Sequence, residues 1–145
     1  IVVLEHGRVI QTGTAEDLRA RPRSPYVADL FGLNLWRGNA HAGVVVLESG
    51  AELVVPESPE GAVLVSVSPR GVALHAHRPE GSPRNAWPGI VSAVEPDGEV
   101  VRVRLEGAVP VTALVTPAAV SELGLVEGAR AWAAVKATEM TAYPA

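Results

Sequence analysis

Hydroxyl groups and positive charges in the second half of the chain could bind an anion. Ser82, Thr116 and Thr138 carry hydroxyl groups, and Arg84 and Lys136 carry positive charges. A tetrahedral dianion needs several such donors around its oxygens, and each charge-assisted hydrogen bond contributes about 1.5–3 kcal/mol. About four to six of them would give micromolar or tighter binding after the cost of association.

Each of these residues also has a more ordinary role. Ser82 follows a glycine and is typical of a turn, and Arg84 is typical of an exposed surface. Thr116 precedes a proline, a pair that predicts the N-cap and first turn of a short helix. Lys136 by itself would be a solvated strand residue. The residue types alone therefore leave an anion site and a purely structural role open.

Lys136 is the only lysine of the chain, and its neighbours argue against nucleotide chemistry. The phosphate-binding loop of ATPases ends in Gly-Lys-Ser or Gly-Lys-Thr, because backbone amides and the lysine hold the phosphates. Lys136 instead stands between Val135 and Ala137. The sequence also shows no Ser-His-Asp order and no carboxylate pair. We therefore predict no catalytic residue and no enzyme activity for this chain.

Histidine and cysteine give little support to a metal site. His75 and His77 stand two residues apart and would share one face of a strand, but no third histidine or acidic ligand accompanies them in that strand. The chain has no cysteine, which excludes disulfides and thiolate ligands. We predict neither a metal nor a cofactor.

The composition is typical of a small β-rich protein. Of the 145 residues, 48% are hydrophobic, mostly Val, Ala and Leu, and the net charge is −4. This charge does not favour nucleic-acid binding, and no apolar run approaches the roughly 20 residues that cross a bilayer. The chain starts at Ile1 without an initiator Met or a signal peptide. We interpret it as a fragment of a longer cytoplasmic protein.

The first 32 residues predict a hairpin followed by two short helices. Turn residues separate two strand-like runs, and two N-cap patterns introduce the helices. Because the edges of the hairpin are open, we expect it to pack irregularly, to be disordered or to pair with a neighbouring chain. The predicted elements are strands at 1–4 and 8–11 and helices at 15–20 and 25–30.

Short valine-rich runs separated by Gly, Pro and Ser follow from residue 33 onward. They predict a mainly β chain with one or two small OB-like antiparallel barrels, in which residues 33–79 and 80–145 share strands. One short helix interrupts the pattern, begun by Thr116 and ended by Gly124 in the left-handed conformation. The strand-like runs lie at 43–47, 52–55, 62–67, 72–75, 87–91, 100–105, 111–116, 131–136 and 138–141.

Residues 3–32 closely resemble the end of ABC-transporter ATPase domains, in the string V-L-E-x-G-R-V-I-Q-x-G-T-x-x-D-L-x-x-x-P-x-S-x-Y-V-A-D-L-F-G. The resemblance implies that residues 1–32 are the C-terminal tail of a nucleotide-binding domain. It also implies that His6 is a turn residue and that the switch histidine of this family lies upstream.

Residues 82–142 resemble the molbindin module, also called TOBE or Mop. Three motifs stand in family order: S-P-R-N-A-W-P-G-I-V, T-P-A-A-V-S-E-L-G-L and V-K-A-T. The resemblance implies that residues 33–145 form a regulatory domain with 82–142 as its core. The oxyanion ligands that it implies, at an interface between subunits or repeats, are Ser82, Arg84, Thr116, Lys136 and Thr138.

Two departures from the family pattern concern the number of donors. Pro83 replaces the usual Ala of S-A-R-N and removes an N–H group. Ala119 stands where some members of the family carry a second hydroxyl group. Both changes predict a site with fewer hydrogen-bond donors.

The resemblance implies a regulatory domain of an ABC importer's ATP-binding subunit that senses molybdate or tungstate, with sulfate less favoured. The implied partners are a second copy of the chain and the transporter's membrane subunits, at the cytoplasmic face of the membrane, without nucleic-acid binding or membrane insertion. The alternative is a structural dimerisation and docking domain of a sulfate, sugar, polyamine or iron importer, with no small ligand. The two interpretations differ in whether an anion binds.

Overall fold

The computed structural model describes residues 1–81 and 85–145; Ser82, Pro83 and Arg84 lie outside them. The described chain is mainly β, as predicted, and each of its strand pairs is antiparallel. The strands are β1 (Val2–Glu5), β2 (Arg8–Thr12), β3 (Asn34–His41), β4 (Val44–Leu47), β5 (Glu52–Val54), β6 (Gly61–Val67), β7 (Val72–His75), β8 (Ala86–Asp97), β9 (Val100–Glu106), β10 (Val111–Val115), β11 (Arg130–Val135) and β12 (Thr141–Pro144). The helices are α1 (Ala15–Ala20), α2 (Pro25–Leu30) and α3 (Pro117–Leu123), with 3₁₀ turns at Pro69–Gly71 and Ala137–Glu139.

Side-chain caps explain where the helices of the first 32 residues begin. The Thr14 hydroxyl accepts a hydrogen bond from the Asp17 amide at 3.1 Å, and the Asp17 carboxylate accepts one from the Thr14 amide at 2.9 Å. This confirms the predicted capping box. The hydrogen bonds from the backbone and side chain of Thr14 lower the pKa of the Asp17 carboxyl group. Ser24 caps α2 through the Val27 amide at 3.2 Å.

The N-terminal hairpin has a shift of strand register between Val3 and Leu4 and packs on its own two helices. His6 and Gly7 adopt φ of 52° and 75°, which form the tight turn between β1 and β2. Val3 is buried against Leu18 and Val27, so the hairpin, α1 and α2 share a small core. The expected irregular packing or disorder is therefore wrong, because these helices cover one face of the hairpin. Pairing of its open edges with a neighbouring chain stays a prediction.

The remaining strands form two five-stranded sheets that exchange one strand each. The first sheet has the order β12-β6-β3-β4-β5, and the second has the order β10-β9-β8-β11-β7. Strand β7 follows β6 in sequence but pairs with β11 in the second sheet, and β12 follows β11 but pairs with β6 in the first. The prediction that the two halves share strands is confirmed, and both sheets contribute to one hydrophobic core.

The two sheets are repeats of one topology, with one sequence signature. Each begins with Asn-x-Trp-x-Gly, at Asn34–Gly38 in β3 and at Asn85–Gly89 leading into β8. The glycine permits close approach of the next strand, because a Cβ atom at Gly38 would lie 2.6 Å from Val45 Cγ1. The sequence analysis missed both the repeat and strand β3.

The asparagine of each signature clamps the edge strand of the other sheet. Asn85 is 1% exposed, and its amide group accepts from the Val54 N–H at 2.7 Å and donates to the Val54 carbonyl at 2.9 Å. Asn34 is 4% exposed and makes the same pair of bonds to Thr112, both at 2.8 Å. Each buried amide thus satisfies two backbone groups that an edge strand leaves without a ladder partner.

The tryptophans of the signatures add a second link between the halves. Trp36 Nε1 donates to the Pro110 carbonyl at 2.7 Å, and Trp87 Nε1 donates to the Glu52 carbonyl at 3.2 Å. The two indole rings contact each other with centroids 6.3 Å apart and a tilt of 55°. The halves therefore meet through a symmetric set of side chains and not through apolar burial alone.

Strand β12 also joins the N-terminal helices to the first sheet. Tyr143 is 1% exposed, and its hydroxyl group donates to the Pro22 carbonyl. The Arg23 guanidinium donates to the Pro144 carbonyl at 2.8 Å and lies 5.8 Å from the Tyr143 ring centroid. Strand β12 lies at 141–144. The predicted strand at 138–141 is wrong at its start, because residues 137–139 form a 3₁₀ turn.

The asparagine clamp gives a direct test of the junction between the sheets. Asn85→Ala leaves the Val54 N–H and carbonyl without partners, so the free energy of unfolding should fall by about 2–4 kcal/mol. Asn34→Ala should have an effect of the same size, because the geometry is repeated. Asn39→Ala, on an exposed position of β3, should change it by less than about 0.5 kcal/mol. Urea denaturation measures all three, and equal effects at Asn85 and Asn39 would contradict the clamp.

Tyr143 makes stability depend on pH in the alkaline range. Burial raises the pKa of Tyr143 from 10.0 to about 12, so between these values the folded chain holds a proton that the unfolded chain releases. Stability should therefore fall as the pH rises through this window. Tyr143→Phe should lose about 1 kcal/mol at neutral pH with its hydrogen bond, and should lack this alkaline decline. Urea midpoints across the range, with exposed Tyr26→Phe as the control, measure both effects.

Candidate anion-binding site

A cavity of about 820 Å³ lies where the exchanged strand β7 pairs with the end of β11. One wall is formed by the 3₁₀ turn that follows β11, and the opposite wall by β7 and the turn that precedes it. Glu80 and Asn85, which lie on either side of residues 82–84 in the sequence, also line it. The cavity therefore exists only because the two halves exchange strands.

Lys136 and Thr138 both line this cavity. The Val135 amide donates to the Asn85 carbonyl at 2.9 Å, which fixes the end of β11 beside the first residue of the Asn-x-Trp-x-Gly signature. The chain then turns, and the Glu139 amide donates to the Lys136 carbonyl at 2.9 Å. A cation and a hydroxyl group thus stand on one short turn, and both residues are exposed to solvent.

Thr116 lies elsewhere and acts as a helix cap. Its hydroxyl group accepts from the Ala119 amide at 3.1 Å at the start of α3, and it is not among the residues that line the cavity. Gly124 ends α3 in the left-handed conformation, with φ of 62°, as predicted. Of the five predicted ligands, the described structure brings Lys136 and Thr138 together and leaves Thr116 apart, while Ser82 and Arg84 lie outside the described residues.

Three charged side chains that line the cavity were not predicted as part of a site, and His75 was considered only as a metal ligand. Arg70 and His75 line it from the side of β7, and Glu80 and Glu139 add two carboxylates. Arg70 forms no ion pair with any residue in the described ranges. A comparison of the two repeats in the sequence would have pointed to Arg70, because the turn at 68–71 corresponds to the turn at 136–139.

The carboxylate of Glu139 limits the strength of any anion site here. A Cβ atom at Gly71 would lie 3.1 Å from Glu139 Oε2, so this carboxylate packs against the opposite turn. A negative charge near a bound dianion opposes binding, because both charges lie on a partly desolvated wall. The positive charges of Arg70 and Lys136 are matched by the negative charges of Glu80 and Glu139 around the cavity. Binding of an anion would therefore depend on hydroxyl and amide donors in addition to Lys136.

The histidine pair does not form the predicted arrangement. His75 is the last residue of β7, but His77 lies beyond the strand, so the two do not share a strand face. Within residues 1–81 and 85–145, no three His, Cys, Asp or Glu side chains are grouped so that they could hold a metal ion.

Among the same residues the longest helix has seven residues, and none is long and apolar enough to cross a membrane.

The comparisons with known proteins point to one family. Residues 81–142 match the TOBE domain. The chain is 34% identical over its whole length to 42% of the molybdenum import ATP-binding protein ModC of Mycobacterium tuberculosis. Residues 81–142 are thus similar to a TOBE domain, and the whole chain is similar to part of the ATP-binding proteins of ABC importers. It is also 29% identical, over 97% of its length, to 41% of the molybdate/tungstate import ATP-binding protein WtpC of Pyrococcus abyssi.

A solved structure supports the fold of the TOBE region. The cytoplasmic molybdate-binding protein ModG, in a form with molybdate bound, matches 77% of this chain and 96% of its own, with a TM-score of 0.65 and 25% identity. The predicted OB-like barrel architecture is confirmed by this likeness and by the antiparallel sheets. The chain spans about two fifths of the length of the curated relatives it matches.

The role of Thr116 as a helix cap can be tested by stability alone, without a ligand. Thr116→Ala should lower the free energy of unfolding by about 1 kcal/mol, because the Ala119 amide loses its acceptor, and Thr116→Ser should restore it. Urea denaturation of both variants measures this. A serine variant as unstable as the alanine variant would show that the methyl group, and not the hydroxyl cap, stabilises α3.

Proposed function

We propose that this chain is a regulatory oxyanion-binding domain of an ABC importer's ATP-binding subunit, with molybdate or tungstate as the ligand. The observation that supports it most directly is that Lys136 and Thr138, the two predicted ligands of the V-K-A-T motif, line the same cavity. Relatives named for molybdenum or molybdate/tungstate import match nearly the whole chain. Sulfate is a weaker candidate ligand.

Ligands from more than one part of the assembly would complete the site. Ser82 and Arg84 follow Glu80 and precede Asn85 in sequence, and both of these neighbours line the cavity. Thr116 stands outside it, so in this proposal Thr116 reaches the anion only from a second copy of the chain. The site therefore requires a homodimer, and the anion bridges the two copies.

A bridging anion gives a mechanism of regulation. An anion that binds one arrangement of two regulatory domains better than another shifts the population toward that arrangement. In the parent protein, that arrangement would restrain the ATPase domains and slow transport when the intracellular anion is abundant. In this proposal the TOBE region itself has no catalytic role. The whole protein would work with the transporter's membrane subunits at the cytoplasmic face of the membrane.

The lysine variant tests the ligand. Tungstate and molybdate should bind the chain in calorimetry, and sulfate should bind more weakly. Lys136→Ala should weaken tungstate binding at least about tenfold, or about 1.4 kcal/mol, because a charge-assisted bond is lost. Arg130→Ala is the matched control, since Arg130 is an exposed cation on β11, the strand that leads to Lys136, and does not line the cavity.

Two results would separate the proposal from its alternative. Sedimentation with and without tungstate should show a dimer that the anion stabilises. If no oxyanion gives heat while the dimer is intact, the region is a structural dimerisation and docking domain without a small ligand. If Arg130→Ala weakens binding as much as Lys136→Ala, the anion is attracted by net charge and not held in the cavity.

A further inference from the structure

A second, smaller cavity of about 440 Å³ lies where the N-terminal helices meet both sheets. Its floor is the end of β6 and the 3₁₀ turn that follows, from Ser66 to Arg70. Phe31, Gly32 and Leu33, which precede the first Asn-x-Trp-x-Gly signature, form another wall. The V-K-A-T motif is absent from this turn, so the molbindin resemblance assigns nothing to this cavity.

The internal repeat relates the two cavities residue by residue. Ser68 stands at the N-cap of the first 3₁₀ turn, where Lys136 stands at the N-cap of the second. Thr141 on the exchanged strand β12 lines the smaller cavity, as Ala73 on the exchanged strand β7 lines the larger one. Arg70 and Glu139 line both cavities, so the two are adjacent.

The smaller cavity carries a different and more positive set of side chains. Three arginines line it, and the one acidic residue among its described lining residues is Glu139. The arginines are Arg19, Arg70 and Arg102. The hydroxyl groups of Ser66, Ser68 and Thr141 are also lining groups.

Two of the arginines are held by contacts that fix their position. The Arg19 guanidinium lies 5.2 Å from the Phe31 ring centroid, a cation–π contact at the edge of the cavity. The Arg102 guanidinium packs against the backbone of Gly32, since a Cβ atom built there would lie 3.0 Å from Arg102 Nη2. Among the described residues, the ion pair of Arg102 is a long contact of 3.7 Å to Asp97, which leaves donors for another acceptor.

We propose that the smaller cavity is a second oxyanion site, which takes a phosphate-class anion independently of Lys136. Guanidinium groups match the oxygens of a tetrahedral anion in bidentate geometry, and neighbouring hydroxyl groups supply further donors. Arg19 belongs to α1, whereas Arg70 lies in the 3₁₀ turn after β6 and Arg102 lies in β9. An anion held by all three therefore ties the N-terminal helices to the TOBE region.

The test uses inorganic phosphate and arginine variants in calorimetry. Arg102→Ala and, separately, Arg19→Ala should each weaken phosphate binding at least about tenfold. Arg104→Ala is the matched control, because Arg104 lies two residues further along β9 but is bonded to Glu106 and Thr112 and does not line the cavity. Circular dichroism melting curves establish that each variant is folded.

Three outcomes would overturn the proposal. They are no phosphate binding by the unaltered chain at millimolar phosphate, equal losses in Arg102→Ala and Arg104→Ala, and loss of the Arg102-dependent binding in Lys136→Ala. Phosphate should also raise the melting temperature of the unaltered chain and leave that of Arg102→Ala unchanged, because a ligand stabilises only a state that binds it. A chain that binds phosphate in this way but not tungstate would contradict the proposed function and still support this second site.

Discussion

The exchange of β7 and β12 between the two sheets is the constraint on which the rest of the structure depends. A strand that leaves its own half must find ladder partners in the other, and each edge strand then needs partners for its remaining backbone groups. Asn34 and Asn85 supply these across the junction, and Trp36 and Trp87 reinforce them. Neither half can complete its sheet or its core alone, so the two fold as one unit.

Both cavities are consequences of this exchange. In each half, a core strand ends in a 3₁₀ turn, and the chain then crosses to the other sheet. In each half, this turn lies beside the segment that enters the Asn-x-Trp-x-Gly signature of the same half. The backbone frame is repeated, but the second turn presents Lys136 and Thr138, whereas the first presents Ser68 and Arg70. One duplicated frame thus offers two different sets of donors.

The same geometry explains how anion binding could reach the rest of a transporter subunit. Strand β12 follows the turn that carries Lys136, and its Tyr143 hydroxyl donates to the carbonyl of Pro22, between α1 and α2. A ligand on that turn therefore lies a few residues from the contact that joins the TOBE region to the tail. Arg19 and Arg102 lie on the two sides of the same boundary. The tail and the β sheets are linked through short, buried contacts.

The sequence by itself determined the local features: the caps at Thr14, Ser24 and Thr116, the left-handed Gly124 and the β-rich composition. These depend on partners three or four residues away, such as the Thr116 hydroxyl and the Ala119 amide. Motif order also pointed to the TOBE domain, and Lys136 and Thr138 of its last motif line one cavity.

The tertiary structure alone decided which strands pair across the halves, that Asn34 and Asn85 are clamps, and that Arg70 and Glu139 stand between two cavities. The partners of the asparagines lie 78 and 31 residues away, and no local pattern encodes such a contact. The physical reason is that a strand's hydrogen bonds and the walls of a cavity are made by whichever distant segment the folded chain brings alongside.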